Sequence, residues 1–200
     1  MTLYPVVMCV PEAEPTLPGK DRVQRLSLLA RQALALSIER SGLTLARIEK
    51  DEDDVPCPSD GNHWAVSHKP GCVAAVVGRG GAGIDVEEMV PRKRSLFDLT
   101  AGQDEWELAG GRSWQAFFRI WTAKEAVLKA IGVGIGGLKS CRVISVPDDS
   151  HVMLEHNGRQ HLVEQLYHNG HIVSVLKGDN EVEWTLVGGC GGARQPGPAV

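Results

Sequence analysis

Two acidic side chains project together from one short predicted strand, the segment GIDVEE at residues 83–88. Because successive side chains of a strand point to opposite faces, Asp85 and Glu87 share a face, about 7 Å apart at their Cα atoms. Two such carboxylates repel each other, and a divalent cation removes that conflict. The strand is therefore a candidate metal-binding element, although Asp-x-Glu on a strand is also common on a solvated face.

A third carboxylate interrupts the apolar stripe of a predicted helix, FFRIWTAKEAVLKAIG at residues 117–132. Phe118, Trp121 and Leu128 recur at helical spacing, and Glu125 occupies the position in which that stripe requires an apolar side chain. Burying an isolated carboxylate is costly, and the usual remedies are a paired base or a metal.

The three acids and a nearby lysine form a combination that suits magnesium acting on phosphates. A hard cation prefers oxygen ligands, and three carboxylates leave coordination positions for water and substrate. Lys129 lies one turn beyond Glu125 on the same helical face, where it can neutralise phosphate oxygens that the metal does not reach. An ordinary helical ion pair between Glu125 and Lys129 is the simpler alternative.

The elements that must position these groups follow the order strand, helix, strands, and this order occurs twice along the chain. YPVVMCV at residues 4–10 predicts a strand, and the segment 21–42 predicts a helix with Asp21 as its cap and Gly42 past its end. Further strands are predicted at HWAVSH and CVAAVVG, and after the long helix near CRVISV, HVMLEH, HIVSVL and VEWTLV. The glycines of GVGIGG follow a helix and do not open one, which argues against a dinucleotide-binding loop. The sequence therefore predicts an α/β (α+β) fold.

Charge and composition restrict the class of function. The chain has 200 residues, a formal net charge of -4 and a sequence pI near 6.0, which disfavour general nucleic-acid binding. No apolar run approaches the roughly 20 residues that span a bilayer, and the first residues lack a signal-peptide pattern, so a cytoplasmic protein without membrane attachment is predicted. The five scattered cysteines contain no Cys-x-x-Cys pair and are predicted to remain thiols.

Two of these segments together carry a family resemblance. GIDVEE followed by WTAKEAVLK, with Asp85 and Glu125 separated by 125 − 85 = 40 positions, resembles the paired motifs of the 4′-phosphopantetheinyl transferases. VSHK at residues 66–69 is similar to the Ser-His element that precedes them. The resemblance extends from about Trp64 to Val146. It implies transfer of the phosphopantetheine arm of coenzyme A to a serine of an acyl or peptidyl carrier protein, with release of adenosine 3′,5′-bisphosphate.

The resemblance also implies a role for each site residue. Asp85, Glu87 and Glu125 would hold Mg²⁺ on the diphosphate, directly or, for one of them, through water. Glu125 would also act as general base toward the carrier serine, with Lys129 as its catalytic partner on the phosphates.

Contacts to the co-substrate coenzyme A are expected from both halves of the chain. By the resemblance, Ser67, His68, Lys124 and Lys129 would lie at the phosphates, and Arg25 of the first helix would face coenzyme A.

The length of the chain resembles that of the surfactin-synthetase-activating type, in which two similar α/β halves related by a pseudo-twofold are fused in one monomer. The predicted organisation is an N-terminal half at 1–79, a C-terminal half with the metal-binding motifs at 80–188, and a disordered tail at 189–200. The type's Gly-Lys-Pro element is not visible, and EDDVPCPSDGN stands in its place.

Two basic features have open interpretations. Lys69 follows the Ser-His element and could supply a phosphate contact, or it could be a solvated lysine. PRKRS at residues 91–95 could dock an acidic carrier protein by charge complementarity, or it could be an ordinary solvated loop.

Three rival functions use the same residues differently. A magnesium-dependent phosphohydrolase of a nucleotide diphosphate would use the three acids with water as the acceptor. A non-catalytic homologue would bind coenzyme A or a carrier protein without turnover, and a purely structural α/β protein would leave Glu125 unexplained.

Overall fold

The structure, a computed structural model, describes residues 1–10 and 19–188. The predicted tail at 189–200, with Cys190, lies outside the described residues. The strands are β1 (Thr2–Leu3), β2 (Val6–Cys9), β3 (His63–Lys69), β4 (Cys72–Gly78), β5 (Ile84–Glu88), β6 (Cys141–Asp148), β7 (His151–His156), β8 (Arg159–His168), β9 (His171–Leu176), β10 (Glu181–Val182) and β11 (Thr185–Val187). The helices are α1 (Gly19–Ser41), α2 (Leu96–Thr100), α3 (Gln103–Leu108) and α4 (Trp114–Ala130), with one 3-10 turn at Ile135–Gly137.

The first sheet has four strands in the order β11-β2-β4-β3, and α1 packs against it. Apolar residues of α1 recur three and four apart, as the sequence predicts, and they form one buried stripe. The stripe meets the alternate residues Val73, Ala75 and Val77 of β4 in a common core. The central strand β4 is buried along its whole length, which explains its continuous apolar sequence.

The second sheet is antiparallel, in the order β5-β9-β8-β7-β6, and α4 crosses it. The helix begins one turn earlier than the apolar pattern predicts, because the Ser113 hydroxyl accepts a hydrogen bond from Ala116 N at 3.1 Å and caps it. Phe117, Phe118 and Ile120 are buried among the apolar residues of this sheet.

Three elements of the second half are absent from the predicted pattern. The helices α2 and α3 fall in a stretch that reads as a polar connection, and β8 carries the polar residues His161, Glu164 and Gln165. Gln165 is buried because its side chain exchanges hydrogen bonds with Arg119 of α4. A polar pair satisfied across two elements is invisible to a pattern of apolar residues.

The last strands pair with the first strands of the chain, β11 within the first sheet and β10 in a separate two-stranded sheet. β10 pairs in parallel with β1, and β11 pairs in parallel with β2, so residues 181–187 belong with the N-terminal strands. The mixed α+β fold class is thereby confirmed. The pseudo-twofold relation and the division at residue 79 stay predictions.

Two further expectations concern the whole described chain. Cys9, Cys57 and Cys141 are free thiols, as predicted. In the described ranges, none of the helices combines the length and apolar character that a bilayer crossing requires.

Candidate active site

A cleft of about 520 Å³ lies where β3, β5 and α4 meet, with residues 50 and 53–56 on one side and residues 132–135 on another. It brings together six of the residues that the sequence predicts for the site: Ser67, His68, Asp85, Glu87, Glu125 and Lys129. Four of them come from two strands of different sheets and two from one helix face, so the cleft depends on how the two sheets pack.

A close backbone approach brings α4 against the start of β5. A Cβ added at Gly83 would lie 1.9 Å from the carbonyl oxygen of Ala126, a distance that no packed side chain tolerates. The glycine that opens GIDVEE therefore lets the helix lie on the strand, and this sets Glu125 beside Asp85.

Asp85 is buried and only half satisfied. Its Oδ1 accepts hydrogen bonds from Lys129 Nζ at 2.7 Å and Ser67 Oγ at 2.8 Å, while its buried Oδ2 has no partner among the described residues. Lys129 thus pairs with Asp85, and the alternative of a simple helical pair with Glu125 is not what forms.

The Glu125 carboxyl has a raised pKa. Burial raises its pKa, and the negative charge of Asp85 raises it further. Its Oε1 is buried and, like Asp85 Oδ2, has no partner in the described part of the chain. Two unsatisfied carboxylate oxygens from a strand and a helix therefore belong to one cleft.

Glu87 differs from the other two acids because both of its oxygens are occupied. Lys69 Nζ and Trp121 Nε1 each lie 3.1 Å from Oε1, and Arg92 donates to Oε2 at 2.6 Å. Within residues 1–10 and 19–188, no group of three or more His, Cys, Asp or Glu side chains is arranged to hold a metal ion. The donor set that fits a cation here consists of Asp85 and Glu125.

The Ser-His element supplies two polar side chains to the cleft. Ser67 Oγ donates to Asp85 and accepts from Val86 N at 3.3 Å, which ties β3 to β5. Burial lowers the pKa of His68, and the positive charge of Lys129 lowers it further. His68 is therefore neutral at neutral pH and can present one N–H donor.

Lys124 does not reach this cleft, contrary to expectation. Its side chain is 0% exposed, and Nζ lies 2.7 Å from Glu105 and donates to the carbonyl oxygens of Thr100 and Leu138. One residue before Glu125, it points about 100° away around the helix and fixes α4 to α3. Its predicted phosphate contact has no support in this geometry. Arg25, which was predicted to face coenzyme A, is exposed on α1 and does not line this cleft.

Sequence reasoning missed several residues of the cleft wall. The segment around Asp54 and Val55 reads as an ordinary charged loop, yet it lines the cleft together with Lys50. The indole N–H of Trp121 and the guanidinium of Arg92 are partners of Glu87 that no local pattern indicates.

Comparison with known proteins agrees with this geometry. Residues 81–179 match the model of the 4′-phosphopantetheinyl transferase superfamily, and that segment contains Asp85, Glu87, Glu125 and Lys129. A 4′-phosphopantetheinyl transferase of Bacillus subtilis is 24% identical over 127 residues, which cover 62% of this chain and 56% of the relative. The match thus spans little more than half the length of that relative. The segment at residues 81–179, which carries the three acids of the cleft and Lys129, thus belongs to the 4′-phosphopantetheinyl transferase superfamily.

Proposed function

We propose that this protein transfers the 4′-phosphopantetheine arm of coenzyme A to a serine of an apo acyl or peptidyl carrier protein, in a magnesium-dependent reaction that releases adenosine 3′,5′-bisphosphate. The observation that carries the proposal is a pair of buried oxygens, Asp85 Oδ2 and Glu125 Oε1, which have no partner among residues 1–10 and 19–188 and lie in one cleft with Lys129. The proposal includes a monomeric cytoplasmic enzyme, as the resemblance implies.

Mg²⁺ fits these residues by the chemistry of its donors. Asp85 and Glu125 would hold the ion, which when bound supplies charge neutralisation on the diphosphate of coenzyme A. Glu87, the third expected ligand, is already engaged by two cations and an indole N–H.

Lys129 and His68 would bind the diphosphate. The ammonium of Lys129 lies between Asp85 and the Ser67 hydroxyl, and it is partly exposed to the cleft. Neutral His68 would donate one N–H to a phosphate oxygen. The main contributions of this chain are therefore positioning and charge neutralisation.

Glu125 would accept the proton of the carrier serine. Its raised pKa makes it a better base than an ordinary surface carboxylate. The serine oxygen forms a bond to the phosphorus that bears the pantetheine arm, and the bond from that phosphorus to the bridging oxygen breaks. Adenosine 3′,5′-bisphosphate leaves with the bridging oxygen, and the serine proton passes to Glu125.

The carrier protein would approach over the basic stretch that follows β5. Arg92, Lys93 and Arg94 give that stretch three positive charges. Charge complementarity to an acidic partner steers the encounter and sets its orientation.

Intact-mass spectrometry of several apo carrier proteins, each incubated with this protein, coenzyme A and Mg²⁺, tests the proposal. We expect one carrier to gain the mass of one phosphopantetheine, and EDTA to prevent the gain. Release of adenosine 3′,5′-bisphosphate without a gain on any carrier would support the phosphohydrolase alternative. Coenzyme A binding without either product would support the non-catalytic one.

A further inference from the structure

Glu87 is buried in a complete set of partners. Its side chain is 3% exposed, Lys69 and Trp121 contact Oε1, and Arg92 contacts Oε2. A buried carboxylate with two cations and a hydrogen-bond donor has no need of a metal to offset its charge. Asp85, two residues earlier on the same strand face, still has one oxygen, Oδ2, that none of the described residues contacts by a hydrogen bond.

Two matching contacts between β3 and β5 explain this difference. Ser67 contacts Asp85 at 2.8 Å, and Lys69, two residues further along β3, contacts Glu87, two residues further along β5. Because both steps are of two residues, all four side chains lie on the facing sides of the strands. The strand geometry thus places the Ser67 hydroxyl beside Asp85 and the Lys69 ammonium beside Glu87.

The group formed by Glu87, Lys69 and Arg92 has a net positive charge. One carboxylate faces two cations, and both cations retain N–H donors that Glu87 does not use. Lys69 is about one third exposed and lines the cleft beside His68. Arg92 is held further by packing over the ring of Phe118 at 5.5 Å.

From this arrangement we infer that Glu87 is not a metal ligand but a positioning residue that holds Lys69 and Arg92. Lys69, held in this way, is a phosphate contact of the cleft. The inference rests on the proposed use of the cleft for a diphosphate co-substrate. Glu87 thus serves the binding of anions, and Asp85 and Glu125 alone bind the metal.

Titration of Mn²⁺ into metal-free protein, without coenzyme A or carrier, tests the metal part. Asp85→Asn and Glu125→Gln should each weaken Mn²⁺ binding by about tenfold or more, since each removes a ligand. Glu87→Gln alone should also weaken it, because two cations are left without their counter-charge near the metal.

The triple variant Glu87→Gln/Lys69→Gln/Arg92→Gln separates the two roles of Glu87. If Glu87 only holds the cations, removing the whole ion group should return Mn²⁺ affinity to within about threefold of the unmodified protein. An affinity that stays as low as that of Glu125→Gln would overturn the inference, because a metal ligand cannot be replaced by removing the cations around it. If Glu87 merely stabilised the fold, removing Lys69 and Arg92 as well would not restore the Mn²⁺ affinity.

Calorimetric titration with adenosine 3′,5′-bisphosphate, without metal and at fixed ionic strength, tests the phosphate contact. Lys69→Gln should lower the affinity about five- to tenfold, as expected for loss of one charged hydrogen bond. Lys139→Gln, the same change at an exposed residue that does not line the cleft, should alter it by less than about twofold. Equal effects of the two variants, or no binding by the unmodified protein, would contradict the phosphate contact. The Mn²⁺ titrations decide the role of Glu87 whether or not any carrier protein is modified.

Discussion

Glu125 is the residue at which the sequence and the structure agree most closely. An acid in the apolar stripe of a helix predicts a buried carboxylate in need of a cation. Glu125 has a raised pKa and a buried oxygen without a partner in the part of the chain that the structure describes. The sequence also identifies Asp85 and Lys129. The sequence does not predict which acid is neutralised by which basic side chain. Lys69 and Arg92 pair with Glu87 from other segments of the chain, and only the folded structure shows these pairs.

Replacing Glu125 by Gln should stabilise the metal-free protein. Burial and the charge of Asp85 disfavour the charged form, so ionised Glu125 destabilises the fold at any pH above its raised folded-state pKa. In EDTA at pH 8, Glu125→Gln should raise Tm by roughly 2 °C or more, measured by calorimetry. The gain should shrink as the pH falls through the folded-state pKa and should vanish below the unfolded-state pKa, where the carboxyl is protonated in both states. Glu107→Gln, on the exposed face of α3, is the control, and a gain at pH 8 that this variant shares would contradict the account.

Lys129 should matter for the rate and not only for the fold. Lys129→Ala removes the cation beside Asp85, so kcat/KM for carrier modification should fall at least about tenfold, or about 1.4 kcal/mol of transition-state stabilisation. Initial rates of carrier mass gain provide the measurement. Lys139→Ala should keep its rate, and an unchanged rate in Lys129→Ala would remove this lysine from the proposed mechanism.

At the scale of elements, the contact of α4 with β5 sets the distance between Asp85 and Glu125. The apolar periodicity predicts both long helices, and their ends differ from the predicted ends by a few residues because caps, such as that of Ser113, lie outside the pattern. Gly83 was part of the predicted motif. Its steric reason, the Ala126 carbonyl of a helix some forty residues later, becomes visible only in three dimensions.

Gly83→Ala should separate α4 from β5. Because the added methyl would overlap the Ala126 carbonyl oxygen, the backbone must shift, and we expect a loss of about 1–3 kcal/mol in the free energy of unfolding. Urea unfolding followed by tryptophan fluorescence measures this loss. Gly134→Ala is a matched control, since a Cβ there meets nothing within 4 Å and its φ of −67° suits alanine. Equal stability of the two variants would show that the close approach is not required.

The whole molecule joins two sheets at the cleft. Non-local pairing accounts for what the sequence could not predict, since β10 and β11 return to pair with β1 and β2 across nearly the whole chain length. Strand propensity indicates that a segment is extended, but it does not identify the partner of that strand. The fold class was accessible from the order of elements, whereas the composition of each sheet was not.

Mg²⁺ should stabilise the whole molecule, because its proposed ligands come from two elements that only the folded state brings together. At a concentration of one hundred times Kd, a ligand that binds only the native state adds about 2.7 kcal/mol to the free energy of unfolding. Thermal unfolding with Mg²⁺ and with EDTA should therefore differ for the unmodified protein. The difference should nearly vanish for Asp85→Asn, and a Mg²⁺ shift that persists in full would contradict this metal site.

The most direct measurement compares the unmodified protein with Glu125→Gln and Glu107→Gln in the carrier modification assay by intact mass. We expect the unmodified protein and Glu107→Gln to add one phosphopantetheine to an apo carrier, while folded Glu125→Gln adds none. Transfer by Glu125→Gln at the unmodified rate would contradict the claim that this cleft performs the reaction.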